Sequence, residues 1–223
     1  MCGRFTQYKA RERLGQVLQL DYMADIPPSY NIAPTQQVLV AREHDGKREA
    51  VAMRWGLIPS WAKDKKSPQL NARADTAATK PMFRAAFKKR RCLIAADGYY
   101  EWKKIGKAKQ PYYHRLKSDE PFTFAGLWEW WKGDGEELLT CAILTTDANE
   151  LAREVHDRMP VILDGADALA WMDPEIAPES LGQLLQPFDA AKMVAFPIGQ
   201  AVGNVKNHGP TLIEPVADNS LFN

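Results

Sequence analysis

Helical and strand-like patterning alternate along the chain in short runs. In "TQYKARERLGQVLQL", Ala10, Leu14, Val17 and Leu18 recur at helical spacing, which predicts an amphipathic helix with Thr6 as its N-cap. A proline-rich loop, "DIPPSYNIAPTQ", follows. "QVLVAREHDGKREAVAMRWGLI" reads as two strands joined at Asp45-Gly46, a dipeptide suited to two-residue hairpins. "IPSWAKDKKSPQLNARADT" carries two prolines and a run of lysines and reads as loop. "KPMFRAAFKKR" predicts a short helix, and the basic run at 88–91 complements the negative end of its dipole. "CLIAADGYYEWKK", "PYYHRLK", "PFTFAGLWEWW" and "LLTCAILTT" predict successive strands joined by Gly-Lys or Asp-Gly turns. "TDANELAREVHD" predicts a helix capped by Thr146 or Asp147. Two further short helices are expected in "DGADALAWMD" and "PESLGQLLQ", then a strand-like "MVAFPIGQAVGNV" and a polar tail.

Strands dominate the middle of this pattern and helices its edges, with no internal repeat or low-complexity linker. The expected architecture is a single α+β domain over residues 1–223: a mainly antiparallel, curled sheet with a barrel-like core and peripheral helices. No Gly-x-Gly-x-x-Gly follows a strand and no phosphate-binding Walker loop occurs, so no cofactor is expected.

Composition narrows the function classes. A hydrophobic fraction of 45% and a charged fraction of 26% are ordinary for a globular protein. No apolar run reaches membrane-spanning length, and the amino terminus lacks a secretory signal pattern, so a cytoplasmic location is expected. The net charge of +1 excludes a bulk polycation; nucleic acid would have to meet a local basic patch. The 7 tryptophans, many near glycine and proline, can stack bases or fill the core. Without a heptad pattern or an exposed apolar stripe, a monomer is expected, with no obligate protein partner.

The 3 cysteines are odd in number and widely spaced, which argues against a disulfide framework; no Cys-x-x-Cys or His-x-x-x-His pair suggests a metal site. Cys92 and Cys141 lie in apolar runs and read as buried strand residues. Cys2 stands apart, directly behind the initiator methionine in "MCGRF". If Met1 is removed, Cys2 carries an α-amine of pKa about 7.7–8.0 and a thiol of about 8.5 on adjacent carbons. Other candidates lie beside strand ends. Asn71 and Arg73 sit in "NARADT". Glu101 sits between Tyr100 and Trp102 in "DGYYEW", where apolar neighbours suit a general acid or base. His156 and Arg158 lie in "VHDRMP" at the end of a predicted helix. Each also has a plain structural reading: turn contacts for Asn71 and Arg73, a solvated strand end for Glu101, a helix dipole partner for His156.

Together the motifs become specific. "MCGRF", "YNIAPTQ", "RWGLIPSWA", "NARADT", "DGYYEW", "VHDRMPVIL" and "AVGNVKN" occur in this order. The chain resembles the SOS-response-associated peptidase (SRAP) family of abasic-site processing proteins from residue 2 to about residue 207. The resemblance implies that the partner is single-stranded DNA containing an abasic site, held covalently. It implies a nucleophilic role for Cys2, proton transfer by Glu101, orientation of the amine or sugar by Asn71, and proton transfer or a sugar contact by His156. Arg4, Arg73 and Arg158 are implied to clamp phosphates, and Pro34, Trp61 and Trp102 to face the DNA. Two alternatives remain open at this point: a thiol peptidase or amidohydrolase using Cys2, and a non-covalent single-stranded DNA-binding module.

Overall fold

Asp45 and Gly46 both take positive φ, 53° and 72°, as a tight two-residue hairpin turn demands. That turn joins two of the strands around which the fold is organised. The computed structural model describes residues 2–216, and at 13, 16 and 17 the backbone alone. Met1, the polar tail from 217 and the side chain of Val17 thus lie outside the described residues. The elements are β1 (Phe5–Gln7), α1 (Ala10–Leu18), β2 (Tyr22–Met23), β3 (Ser29–Ile32), β4 (Gln37–His44), β5 (Lys47–Trp55) and β6 (Asn71–Arg73). Next come α2 (Ala74–Ala77), α3 (Arg84–Lys89), β7 (Arg91–Ala96), β8 (Gly98–Ile105), β9 (Ala108–Leu116) and β10 (Phe122–Gly133). The last are β11 (Glu136–Asp147), α4 (Glu150–Arg153), β12 (Arg158–Pro160), β13 (Ile162–Leu163), α5 (Gly165–Met172) and β14 (Met193–Pro197). Residues Pro178–Leu185 and Gln200–Gly203 form 3-10 turns.

Strands β5, β4, β7, β10 and β11 pair in that order, and β11 returns to β5 through Thr140 opposite Arg54 and Cys141 opposite Trp55. The ring is therefore closed, as the expected barrel-like core requires. A second sheet runs β14-β9-β8-β1-β3. Alternate side chains of the ring strands serve two different cores. Leu39, Leu93, Leu127 and Leu144 meet the helices: Leu14 of α1, Phe87 of α3 and Trp171 of α5 belong to the same cluster. The opposite set, including Val40, Trp55, Ile94, Phe124 and Ile143, meets Phe5 and Tyr99 of the second sheet. Phe5 lies edge-on to Trp55 at 5.0 Å and to Phe124 at 5.6 Å. Burying each such ring stabilises the fold by about 2–3 kcal/mol.

Several expected boundaries move, for reasons outside local patterning. Thr6 is not the cap of α1; it lies in β1, its hydroxyl 2.8 Å from the Tyr113 hydroxyl. The helix starts after Lys9, and the carboxylate of Asp97, brought from the end of β7, accepts the N–H groups of Tyr8 and Lys9. "CLIAADGYYEWKK" is two strands rather than one. It turns at Asp97 and passes from the ring to the second sheet. The segment read as loop contains β6 and α2, because Asn71–Arg73 pairs in parallel with Ile143, Leu144 and Thr145. Thr146 and Asp147 belong to β11; the short α4 is capped by Asn149, whose side chain accepts from Ala152 N–H. Arg158 starts β12 rather than ending a helix. "PESLGQLLQ" is 3-10 rather than α, and "MVAFPIGQAVGNV" is a strand only to Pro197. In the basic run at 88–91, Lys88 and Lys89 close α3, while Arg90 pairs with Glu129 at 2.6 Å and buried Arg91 donates to Trp171 O at 2.7 Å.

Two buried groups give stability a pH signature. Burial pulls His114 of β9 down to about 4, whereas an unfolded imidazole titrates near 6.5. Its contribution is present above that unfolded value and is lost as pH falls through about 4. Burial pushes Asp97 up to about 6 in spite of its two backbone N–H partners. Its contribution runs the other way: present below the unfolded carboxyl value of about 3.9, and lost as pH rises through about 6. The two offset each other across the interval. Asp97→Asn removes one slope, so the change in unfolding free energy between pH 4 and pH 7 should differ from that of the unsubstituted chain by on the order of 2–3 kcal/mol, with the variant losing more on acidification. Urea titrations at stepped pH measure this, and parallel curves would remove Asp97 as the titrating group.

Candidate active site at the amino terminus

Strand β1 lies between β8 and β3, so the residues preceding it are drawn to the middle of the second sheet. The Arg4 carbonyl accepts the N–H of Tyr100 at 2.9 Å, carrying the β1–β8 pairing outward towards Cys2 and Glu101. Cys2 is fully buried, and its sulfur lies 3.9 Å from the Arg4 carbonyl. Its own carbonyl accepts a 2.9 Å hydrogen bond from Asn71 Nδ2. Asn71 can do this because β6 docks on β11, which fixes its side chain between sheet and terminus. Asn71 Oδ1 is buried and has no hydrogen-bond partner among the described residues, so the amide retains an acceptor for an amine or hydroxyl.

Glu101 on β8 is 6% exposed, and its charge acts on the Cys2 thiol. Burial first, and then that charge, push the thiol well above its ordinary value. The sequence suggests a thiol partly ionised near neutral pH; the fold instead holds it protonated. A buried, protonated thiol thus lies within the electrostatic reach of a buried acidic side chain.

A second group gathers at the far end of β11. There β10 and β11 diverge, and β12–β13 fill the gap: Thr145 pairs with Pro160, Asp147 with Arg158, and Phe124 with Ile162. On the other side of β11, Arg73 lies opposite Thr145. Asn71 and Arg73 are alternate residues of one strand and leave the same face. A line thus runs from Cys2 through Asn71 to Arg73, with Arg158 across β11. Arg73 is half-exposed and paired with Asp75 at 2.6 Å, which raises its pKa; the more distant charges of Asp147 and Asp157 act weakly in the same direction. Arg158 is more enclosed, bonded to Asp147 and, at 2.7 Å, to the Thr145 carbonyl. His156 follows α4, its Nδ1 accepting the Arg158 N–H at 3.0 Å and lying 2.8 Å from Asp157 Oδ1.

The remaining candidates are dispersed. Arg4 is 9% exposed and donates to Asn31 Oδ1 at 2.6 Å and Val202 O at 2.8 Å, tying the "AVGNVKN" segment to β1 and β3. Trp61 is 64% exposed, in a loop anchored where Trp131 Nε1 donates to the Ala62 carbonyl. Pro34 is half-buried in the turn before β4, next to Thr35, whose N–H bonds Trp55 O. Trp102 packs against the cluster that contains Tyr100, Tyr113 and Ile198, at the other face of the second sheet. No described hydrogen bond or ring contact joins Pro34, Trp61 or Trp102 to Cys2.

Sequence reasoning singled out neither Tyr99 nor His114, which stack at 4.6 Å with planes 9° apart, fully buried in the Cys2 region. Both read as ordinary strand residues, and only cross-strand pairing brings them together. A cleft of ≈ 710 Å³ lined by residues such as Leu116, Asp164, Phe188 and Lys192 contains none of the candidates. Among the described residues no cluster of His, Cys, Asp or Glu could hold a metal, and no helix is long and apolar enough to cross a membrane.

The family model described as SOS response associated peptidase (SRAP) matches residues 1–205. The chain is 42% identical over 222 residues to the abasic site processing protein YoqW of Bacillus subtilis, covering 96% of this chain and 99% of that one. It is 35% identical over 224 residues to the abasic site processing protein YedK of Escherichia coli, covering 97% and 100%. It is 33% identical over 246 residues to the abasic site processing protein HMCES of Gallus gallus, covering 92% and 72%. A crystal structure of a protein from Bacteroides thetaiotaomicron superposes with a TM-score of 0.86 at 30% identity, covering 97% of this chain and 100% of that one.

Proposed function

The chain belongs to the SRAP family, and from that premise we propose that it processes abasic sites in single-stranded DNA by covalent capture through Cys2. The observation that carries this reading is the setting of Cys2: its carbonyl held by Asn71 at 2.9 Å and its thiol buried within the field of Glu101. A ring-opened abasic sugar presents an aldehyde. After Met1 is removed, the α-amine of Cys2 adds to that carbon and water leaves, forming an imine. The thiol then gives its proton to the Glu101 carboxylate, sulfur bonds to the imine carbon, and the C=N electron pair moves to nitrogen, which takes a proton. The product is a five-membered thiazolidine, and the net loss is one water. Amine and thiol on adjacent carbons make ring closure intramolecular, where well-oriented groups reach effective concentrations far above any solution value. Masking the aldehyde in this way stops strand cleavage by β-elimination.

Asn71 would hold the terminus and offer Oδ1 to the amine. His156, on the β11–β12 side, would contact the sugar or relay a proton. Arg73, the more exposed of the two, would exchange Asp75 for a phosphate, and Arg158 would exchange Asp147. Arg4, enclosed and doubly bonded, would act by fixing the loop at 200–207. Pro34, Trp61 and Trp102 would meet the strand farther from the lesion.

The test is a denaturing gel with single-stranded DNA carrying one abasic site, read with intact-mass spectrometry. A heat-stable band that requires the abasic site, with the mass of protein lacking Met1 plus DNA less one water, is expected. Protein shown to lack Met1 that yields no such band would overturn the reading and bring hydrolysis or passive binding forward. For the clamp, Arg73→Ala should flatten the slope of log affinity against log salt by about 0.7, the share of one phosphate contact on a single strand. An unchanged slope would take Arg73 out of the phosphate contacts.

A further inference from the structure

Strand β8 runs on past Glu101 into a hairpin with β9 whose charges are all of one sign. Lys103, Lys104, Lys107 and Lys109 crowd its tip, and no Asp or Glu occurs between residues 102 and 117. Lys104, Lys107 and Lys109 are exposed, and Lys103 is half-buried. None of the four has an ion pair among the described residues. Lys104 lies directly opposite Lys109, and Lys103 opposite neutral Gln110. Like charges facing each other across a ladder destabilise it. The hairpins of the ring are built the other way. On β4–β5, Arg42 faces Glu49 and Glu43 faces Arg48, paired at 2.6 and 3.3 Å; on β10–β11, Lys132 faces Glu137 at 2.8 Å. The basic runs at 63–66 and 88–91 also have carboxylate partners: Glu136 for Lys65, Asp64 for Lys66 and Glu129 for Arg90. In a chain of net charge +1, the β8–β9 hairpin is thus a local basic patch whose charge is left uncompensated.

The patch is also held in place. Gln110, 1% exposed, donates to Ile198 O at 2.8 Å, Ile198 N–H donates to Pro111 O at 3.0 Å, and Gln200 Nε2 to Lys109 O at 3.1 Å. At about 3.4 Å per residue, Lys103 stands about 7 Å beyond Glu101 and the turn at Gly106 about 17 Å. We propose that this hairpin is a phosphate-binding arm that holds the single strand beyond the lesion, farther out than the arginines reach. This rests on the single-strand reading of the Cys2 site and adds to it a surface for the flank. The arm offers ammonium groups and, between 103 and 109, no aromatic ring, so it grips backbone without stacking bases and is indifferent to sequence. The repulsion between Lys104 and Lys109 is relieved when a phosphate lies against them.

The experiment uses the full chain and single-stranded DNA with a tetrahydrofuran abasic analogue, which has no aldehyde, so binding is read without capture. Flanks are either about ten nucleotides or about two, the latter too short to span 17 Å at about 3.4 Å per stacked nucleotide. Affinity is measured by anisotropy over a salt series. With long flanks, K104Q/K107Q/K109Q should flatten the slope of log affinity against log salt by about 2, three contacts at about 0.7 each. With short flanks the slopes of variant and unsubstituted chain should coincide. Lys104→Glu, which places opposite charges across the ladder, should weaken long-flank binding while the thermal midpoint holds or rises. Equal slopes with long flanks would overturn the proposal. So would the same loss with short flanks, which would put the lysines at the lesion itself, or a loss seen only when the flank is made double-stranded, which would make duplex the partner. A midpoint that falls along with affinity would assign the effect to the fold and overturn it too. Capture is judged separately, by the gel with a true abasic site: its failure leaves the slopes to decide the arm.

Discussion

Cys2→Ala should form no detectable covalent adduct with abasic single-stranded DNA, while its non-covalent affinity stays within about twofold. The loss is total because both new bonds to the lesion depend on one residue, and alanine keeps only the amine. An imine from that amine is hydrolysed reversibly; without sulfur nothing closes on it. The binding surface is untouched, since Cys2 is fully buried and Arg73 and Arg158 lie beyond Asn71, along β6 and across β11. The lost sulfur leaves a small void in the core, at roughly 1 kcal/mol of stability. A thermal melt distinguishes that minor cost from misfolding. Cys2→Ser sharpens the result: it should give little stable adduct, yet become trapped when borohydride reduces its imine. A heat-stable adduct from the alanine variant would place the cross-link on another residue and end the thiazolidine reading.

Glu101→Gln should slow adduct formation by about a hundredfold at neutral pH, at the lower end of what positioned acid–base groups contribute. Two effects compete. The substitution removes the group that takes the thiol proton. It also removes a negative charge that holds the thiol up. The first should win. When sulfur gives its proton to Glu101, the carboxylate becomes neutral, so the repulsion vanishes along the very step it opposes. Glutamine removes the acceptor and leaves burial, the larger of the two causes, in place. Single-turnover gels with saturating DNA measure the rate. A rate equal to that of the unsubstituted chain would remove Glu101 as the proton shuttle.

What the amino-acid sequence reveals and conceals follows from the range of the forces involved. The hairpin at Asp45-Gly46 is legible because its turn needs positive φ at adjacent residues, a local demand with a local signature. The long strands β10 and β11 are legible from their alternation, and Cys92 and Cys141 from their apolar runs. Several misplaced boundaries, in contrast, depend on something distant. The start of α1 is set by Asp97, which no window around Thr6 contains. β6 has 3 residues and looks like loop until β11 supplies its partner. The break at Asp97 within "CLIAADGYYEWKK" exists because two sheets compete for one continuous apolar run. The same division holds at the site. Cys2 stands out as a candidate through its position and through the ordered motifs of a family. The protonated state of its thiol is not, since burial is a property of the packed chain. Tyr99 and His114 escape notice because nothing marks a strand tyrosine until its cross-strand neighbour is known.

The pairing of β1 with β8, Phe5 opposite Tyr99, has a temporal consequence. A ribosome synthesises the segment containing Cys2 first and the strand that covers it only after almost a hundred further residues. At about 5–20 residues per second, the amino terminus would wait roughly 5–20 s before its partner strand is made. During that interval Cys2 is uncovered and within reach of a methionine-removing enzyme; afterwards its side chain is sealed in the core. Maturation of the nucleophile would then be a race between processing and folding. Chains that fold first would carry an intact Met1, so any preparation made faster than it is processed would be a mixture of competent and blocked molecules.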